Sequence, residues 1–174
     1  DTSTALGTAY TLLAADITAG FADVATGTLT NGGTTYAINA KVIDIAGNAS
    51  AASSPNFTIT VDTTAPSAPS ITSVTDNVGS ITGSLTSGGR TDDTNLTVRV
   101  SLTGTNAVAG DTVQLYNTST ALGTAYTLLA ADITAGFADV ATGTLTNATT
   151  YAINAKVIDI AGNASAASSP RSER

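Results

Sequence analysis

Residues 2–31, TSTALGTAYTLLAADITAGFADVATGTLTN, recur without a change as residues 118–147, at an offset of 116. Residues 36–55, YAINAKVIDIAGNASAASSP, recur as residues 151–170, at an offset of 115. The one-residue difference falls between Asn31-Gly32-Gly33-Thr34-Thr35 and Asn147-Ala148-Thr149-Thr150. Those are turn residues, where a change of length is tolerated. A period of 115 residues is too long for a solenoid coil and fits one β-sandwich domain. The chain is out of register with this period. Residues 1–62 read as the C-terminal half of one unit and residues 63–170 as the next unit without its last strand. Pro55 is followed by NFTITVDTTAP, whereas Pro170 is followed by RSER, so residues 171–174 read as a tail or an expression scar.

Composition supports an all-β chain of one or two domains in 174 residues. Thr, which is β-branched and suits half-exposed strands, dominates with Ala, Gly and Ser. The sequence has no Cys, His, Met or Trp. Their absence excludes disulfides, most zinc, iron and copper sites, thiol nucleophiles and His-based triads. Asp and Ser are present, but no base or oxyanion motif accompanies them. The sequence therefore does not read as an enzyme. The net charge is -7, and all but Glu173 of the 13 acidic residues are Asp, a turn residue and a compact ligand for hard cations. Basic residues are few and scattered, which argues against nucleic acid. No apolar run approaches the ~20 residues of a membrane helix.

The linker Asp62-Thr63-Thr64-Ala65-Pro66 leads into the longer unit, stiffened by Pro66 and Pro69. A strand is expected over 70–75, followed by a Gly/Ser-rich excursion through Gly79, Gly83, Gly88 and Gly89. Leu96, Val98, Val100 and Leu102 alternate with polar residues and predict a strand with one buried face. Val113 and Leu115 mark another. Residues 128–136 read as helix or loop with Asp132 as a cap, and 137–145 return to strand. Tyr151, Ile153, Ala155 and Val157 alternate again, and Phe57, Ile59 and Val61 give the closing strand of the shorter unit. About seven short strands at this spacing predict a sandwich.

The stretch LTNATTYAINAKVIDIAGN (145–163) is similar to the end of fibronectin type III and bacterial immunoglobulin-like domains. There Tyr151 occupies either the corner-tyrosine position, its hydroxyl bonding nearby backbone, or a plain core site. Together with VDTTAP (61–66), VTDNVG (74–79), SGGRTDD (87–93) and VIDIAGN (157–163), it resembles the bacterial immunoglobulin-like tandem repeats of giant type-I-secreted and biofilm-associated adhesins. The resemblance implies immunoglobulin/fibronectin-III-like β-sandwich repeats in tandem, an extracellular place at the bacterial cell surface, a role as a long spacer in adhesion or biofilm formation, and calcium stiffening the junctions.

Calcium takes six to eight oxygen ligands. The residues that can supply them are Asp76 with Asn77, Asp92 with Asp93, and Asp159 with Asn163. Asp44 with Asn48 repeats the last pair in the shorter unit, and Asp62 adds a carboxylate from the linker. Sandwich topology would bring Asp159 and Asn163 toward linker residue Asp62, where a shared cation would bridge domains. Asp92 and Asp93 would lie at the opposite end, or join Asp76 in a site within the domain. Adjacent Asp92 and Asp93 repel unless neutralised. The same Asp and Asn residues also serve as ordinary turn residues that bond backbone without any metal. The expected role is a structural spacer whose partners are neighbouring repeats of its own chain. The alternatives are a glycan- or protein-binding module, and a filament or sheath subunit in which identical chains exchange strands.

Overall fold

The computed structural model describes residues 4–80 and 82–169; residues 171–174, where the sequence suggests a tail, lie outside them. The chain divides into two compact units, Asp1–Asp62 and Thr63–Arg174. Among the described residues it is all-β in character, with its strands in antiparallel sheets and two six-residue helices.

The first unit holds helix α1 (Ala14–Ala19) and strands β1 (Thr35–Ile38) and β2 (Phe57–Thr60). The strands pair antiparallel with Tyr36 opposite Ile59. Among its described residues none is buried.

The second unit contains β3 (Ser70–Asp76), β4 (Gly83–Ser84), β5 (Thr97–Ser101), β6 (Thr112–Asn117), β7 (Thr120–Thr127), α2 (Ala130–Ala135), β8 (Phe137–Ala141) and β9 (Ile153–Ile158). One sheet has the order β4-β3-β5-β8 and the other β7-β6-β9. Alternation along the strands sends every second side chain to one face. Val98 and Val100 of β5, Val113 and Leu115 of β6, Val140 of β8 and Val157 of β9 thus meet in a single core, joined by Leu128 from the loop before α2. Val98, Val100, Val113, Leu115 and Val157 are all 0% exposed.

Within residues 128–136, which the sequence leaves between helix and loop, residues 130–135 form α2. Its N-cap is Leu129, which has no side-chain acceptor to offer. Asp132 in the first turn reaches back instead and accepts the Leu129 N–H at 2.8 Å. Gly136 ends the helix at φ 77°, a left-handed conformation that glycine adopts without a Cβ penalty.

Strand β7 has no counterpart in the sequence reading. Its burial pattern points only Leu122 and Tyr126 inward, a spacing of four where a strand shows two. The pairing explains this: Val113 faces Tyr126 while Leu115 faces Leu122, so β7 carries extra residues in a bulge. The strand expected over 137–145 is shorter in the structure and stops at Ala141. Gly143 follows at φ 70° and turns the chain out of the ladder. Among the described residues no helix is long and apolar enough to cross a membrane.

Candidate functional site

Four of the expected ligands, Asp76, Asn77, Asp92 and Asp93, lie where β3 ends and the chain returns toward β5. Asp76 is 2% exposed and Asp93 5%. Burial of a carboxylate is costly unless its oxygens are hydrogen-bonded, and here they are. Asp76 Oδ1 accepts the Val78 N–H at 3.0 Å and Oδ2 accepts the Thr91 hydroxyl at 2.6 Å. Asp93 Oδ1 accepts the Asn95 N–H at 2.7 Å and Oδ2 the Asn77 N–H at 3.3 Å. The Thr91 oxygen in turn accepts the Asp93 N–H at 3.0 Å. Asp92 is exposed, and its carboxylate lies where a Cβ on Gly79 would sit. The adjacent acids Asp92 and Asp93 therefore differ in burial and partners, and Asn77 contributes its backbone N–H. Among the described residues no three acidic side chains form a group that could hold a metal ion. A cation at this corner would need the remaining lone pairs of these oxygens together with carbonyls and water.

The second expected group closes on itself. Asp159 Oδ1 accepts the Asn163 N–H at 2.7 Å, and Oδ2 accepts the Asn163 side-chain amide at 2.8 Å. The Gly162 N–H donates to the Asp159 carbonyl at 3.0 Å and the Asp159 N–H to the Asn163 carbonyl at 3.1 Å, completing the loop. Asp44 and Asn48 repeat this geometry in the first unit, with distances of 2.8 and 2.9 Å to the two carboxylate oxygens. The side-chain amide of Asn163, followed by surrounding backbone N–H groups, holds the Asp159 carboxyl below the usual carboxylate range, and Asn48 does the same for Asp44. Asp62, the linker contributor, is the last residue of the first unit and is exposed.

A carboxyl whose folded pKa is depressed stabilises the fold above its unfolded value, and that contribution is lost as pH falls through the folded value. Acid melting below pH 3.8, the ordinary value for these groups, therefore has an Asp159 component. The expected result for Asp159→Asn is a flatter acid limb in a plot of Tm against pH between 2 and 5, and an unchanged limb would show that this carboxylate contributes nothing to acid stability.

Asp111 is a structural carboxylate to which the sequence reading assigns no partner. It is 2% exposed, and it accepts the Val108 N–H at 2.9 Å and the Ile160 N–H at 3.2 Å. The second contact spans 49 residues, so no local motif announces it. The Tyr151 hydroxyl accepts the Thr146 N–H at 2.8 Å, a bond to nearby backbone.

The outer face of the four-stranded sheet carries an open groove lined by Ser73, Thr75, Ser84, Thr97, Arg99 and Asp139. Its charges are paired: Arg99 Nε and Nη2 donate to the two Asp139 oxygens at 2.8 and 2.7 Å. The guanidinium also lies 4.0 Å from the centre of the Phe137 ring. Such a clamp fixes β5 against β8 and leaves neither charge group of the pair to a ligand. No protein-family model, curated protein or solved structure matches the chain.

Proposed function

We propose that the chain consists of tandem immunoglobulin/fibronectin-III-like β-sandwich repeats and serves as a spacer in the stalk of a bacterial cell-surface adhesin. One observation carries the reading. The repeated sequence keeps the same short helix, the same Asp–Asn loop and several individual hydrogen bonds in both units. Tyr10 donates to Asp16 Oδ2 at 3.1 Å and Tyr126 to Asp132 Oδ2 at 3.1 Å. Ser50 and Ser165 each accept a valine N–H at 3.0 Å. Near-identical segments with the same turns suit one repeated mechanical task, whereas a dedicated recognition site would differ from its neighbour. The resemblance to adhesin repeats and the two sheets sharing one core support the same reading.

Asp76, Asp92 and Asp93 do not by themselves form a metal-holding group, so calcium enters this proposal as a stiffening ion at their corner with backbone carbonyls and water completing its shell. An ion bound only by the folded state adds about 2.7 kcal/mol when its concentration is a hundred times Kd. Melting the chain in calcium and in EDTA checks this. A Tm that falls in EDTA, with the fall abolished by Asp92→Ala, is the expected result. An unchanged Tm removes calcium and leaves a spacer held by packing and hydrogen bonds. The spacer role is checked separately by stretching single chains. A mechanically resistant second unit supports it, and yielding at negligible force opposes it.

A further inference from the structure

Asn31 is the only asparagine in the chain that is followed by glycine. It stands in the exposed turn between Thr30 and Tyr36, and its side-chain oxygen accepts the Gly32 N–H at 2.8 Å. Gly32 has φ 131°, and nothing lies within 4 Å of where its Cβ would be. At four other asparagines the following amide is tied elsewhere. The N–H groups after Asn39, Asn95, Asn117 and Asn154 donate to the Ser53 hydroxyl, the Thr142 hydroxyl, the Ala152 carbonyl and the Ser168 hydroxyl respectively. The matching turn of the second copy has Ala148 after Asn147 and is also exposed. Exposure is thus a property of this turn that the packed copy shares, and the glycine is what sets Asn31 apart.

We propose that Asn31-Gly32 is a site of spontaneous covalent modification, at which the turn closes to a succinimide and reopens as aspartate or isoaspartate. The Gly32 nitrogen, giving up its proton to hydroxide, attacks Asn31 Cγ. A new C–N bond forms, the bond from Cγ to the side-chain nitrogen breaks, and that nitrogen takes up a proton and leaves as ammonia. Water then adds to one of the two ring carbonyls. Opening at Cγ restores the main chain and leaves aspartate. Opening at the Asn31 main-chain carbonyl leaves isoaspartate, whose main chain runs through Cγ. Ring closure needs the reacting atoms about 3–3.5 Å apart. The hydrogen bond already holds the nitrogen beside the side-chain carbonyl, and a turn about the Cβ–Cγ bond presents the face of that carbonyl to it. Glycine favours the step because it has no Cβ to shield the nitrogen or restrict the backbone. Either product adds a negative charge. Isoaspartate also lengthens the main chain by one atom beside Thr30, whose N–H and hydroxyl bond the Tyr36 hydroxyl at 3.0 and 2.8 Å. The inference is independent of the spacer role.

The repeat supplies its own control. The full chain is held in mildly alkaline, ammonia-free buffer, sampled over time, digested with trypsin at mildly acidic pH and read by mass spectrometry. Cleavage after Lys41 leaves Asn31 in residues 1–41, and cleavage after Arg99 and Lys156 leaves Asn147 in residues 100–156. The two copies are therefore followed in separate peptides of one sample. Fragmentation locates the converted residue and tells isoaspartate from aspartate by its longer main chain. Asn31 should convert at least about tenfold faster than Asn147, a factor well within what the positioning of reacting groups commands. Its product should contain isoaspartate. Gly32→Ala, where the added carbon meets no neighbour, should bring the rate at Asn31 down to that at Asn147. Conversion of Asn31 no faster than Asn147 overturns the proposal. A rate unchanged by Gly32→Ala overturns it too, as does aspartate without isoaspartate, since direct hydrolysis of the side-chain amide gives aspartate alone.

Discussion

Leu128→Ala will lower the unfolding free energy of the dilute, monomeric chain by about 2–5 kcal/mol, while Leu12→Ala will change it by no more than about 0.5 kcal/mol. The two leucines occupy the same position of the same repeated sequence. Leu128 is fully enclosed at 1% exposure, and Leu12 is 44% exposed. Truncating the first removes buried carbon and leaves a cavity among Val113, Leu115, Val140 and Val157, which cannot all move in to fill it. Truncating the second removes carbon that already faces solvent. Urea denaturation followed by circular dichroism gives both values. Equal losses would mean that both copies are packed alike in solution.

Gly123→Ala will destabilise the second unit by about 3 kcal/mol, through strain at positive φ plus a backbone collision. Gly123 has φ 62°, and a Cβ there would lie 2.8 Å from the Ala141 carbonyl oxygen and 3.0 Å from the Thr142 carbonyl. Gly143 completes the contact from the other side, since its own Cβ would lie 2.9 Å from the Gly123 Cα. The two glycines let the bulge of β7 rest directly on the turn after β8, backbone against backbone. Gly104→Ala separates the two causes. Gly104 has φ 76° with nothing within 4 Å of the added carbon, so only the conformational part remains, about 1 kcal/mol. The same denaturation measurement reads the difference. Equal effects at positions 104 and 123 would show that the close approach does not constrain the fold.

These glycines also show where sequence reading stops. The alternation of Leu96, Val98, Val100 and Leu102, and of Tyr151 to Val157, is legible because β5 and β9 are regular and bury one face. Strand β7 is not, because the bulge around Gly123 spaces Leu122 and Tyr126 four apart and hides the period of two. The repeat shows that two segments share a sequence. Which copy is buried depends on residues 63–117, which share a unit with the later copy.

The acidic residues follow the same division. Asp76, Asp92 and Asp93 are recognisable as clustered oxygen donors, and the structure brings Asp76 and Asp93 into one network through Thr91. Sequence alone does not reveal that Val78, Asn77, Thr91 and Asn95 already donate to their oxygens. Spacing counts acceptors and cannot count the donors already bound to them. Asp111 lies beyond such reading altogether, since its distant partner Ile160 is set by topology.

Amide hydrogen exchange of the dilute monomer, resolved residue by residue by NMR, tests the central claim most directly. That claim is that one repeated half forms a packed module only where residues 63–117 cover it. Val157 and Val42 make a matched pair. Each amide donates to a serine hydroxyl at 3.0 Å, to Ser165 and Ser50 respectively, yet one is buried and the other exposed. The Val157 amide should exchange only through global unfolding, in the slowest class with Leu115 and Val98, and the Val42 amide close to the rate of an open chain. Equal protection of Val42 and Val157 would contradict the account.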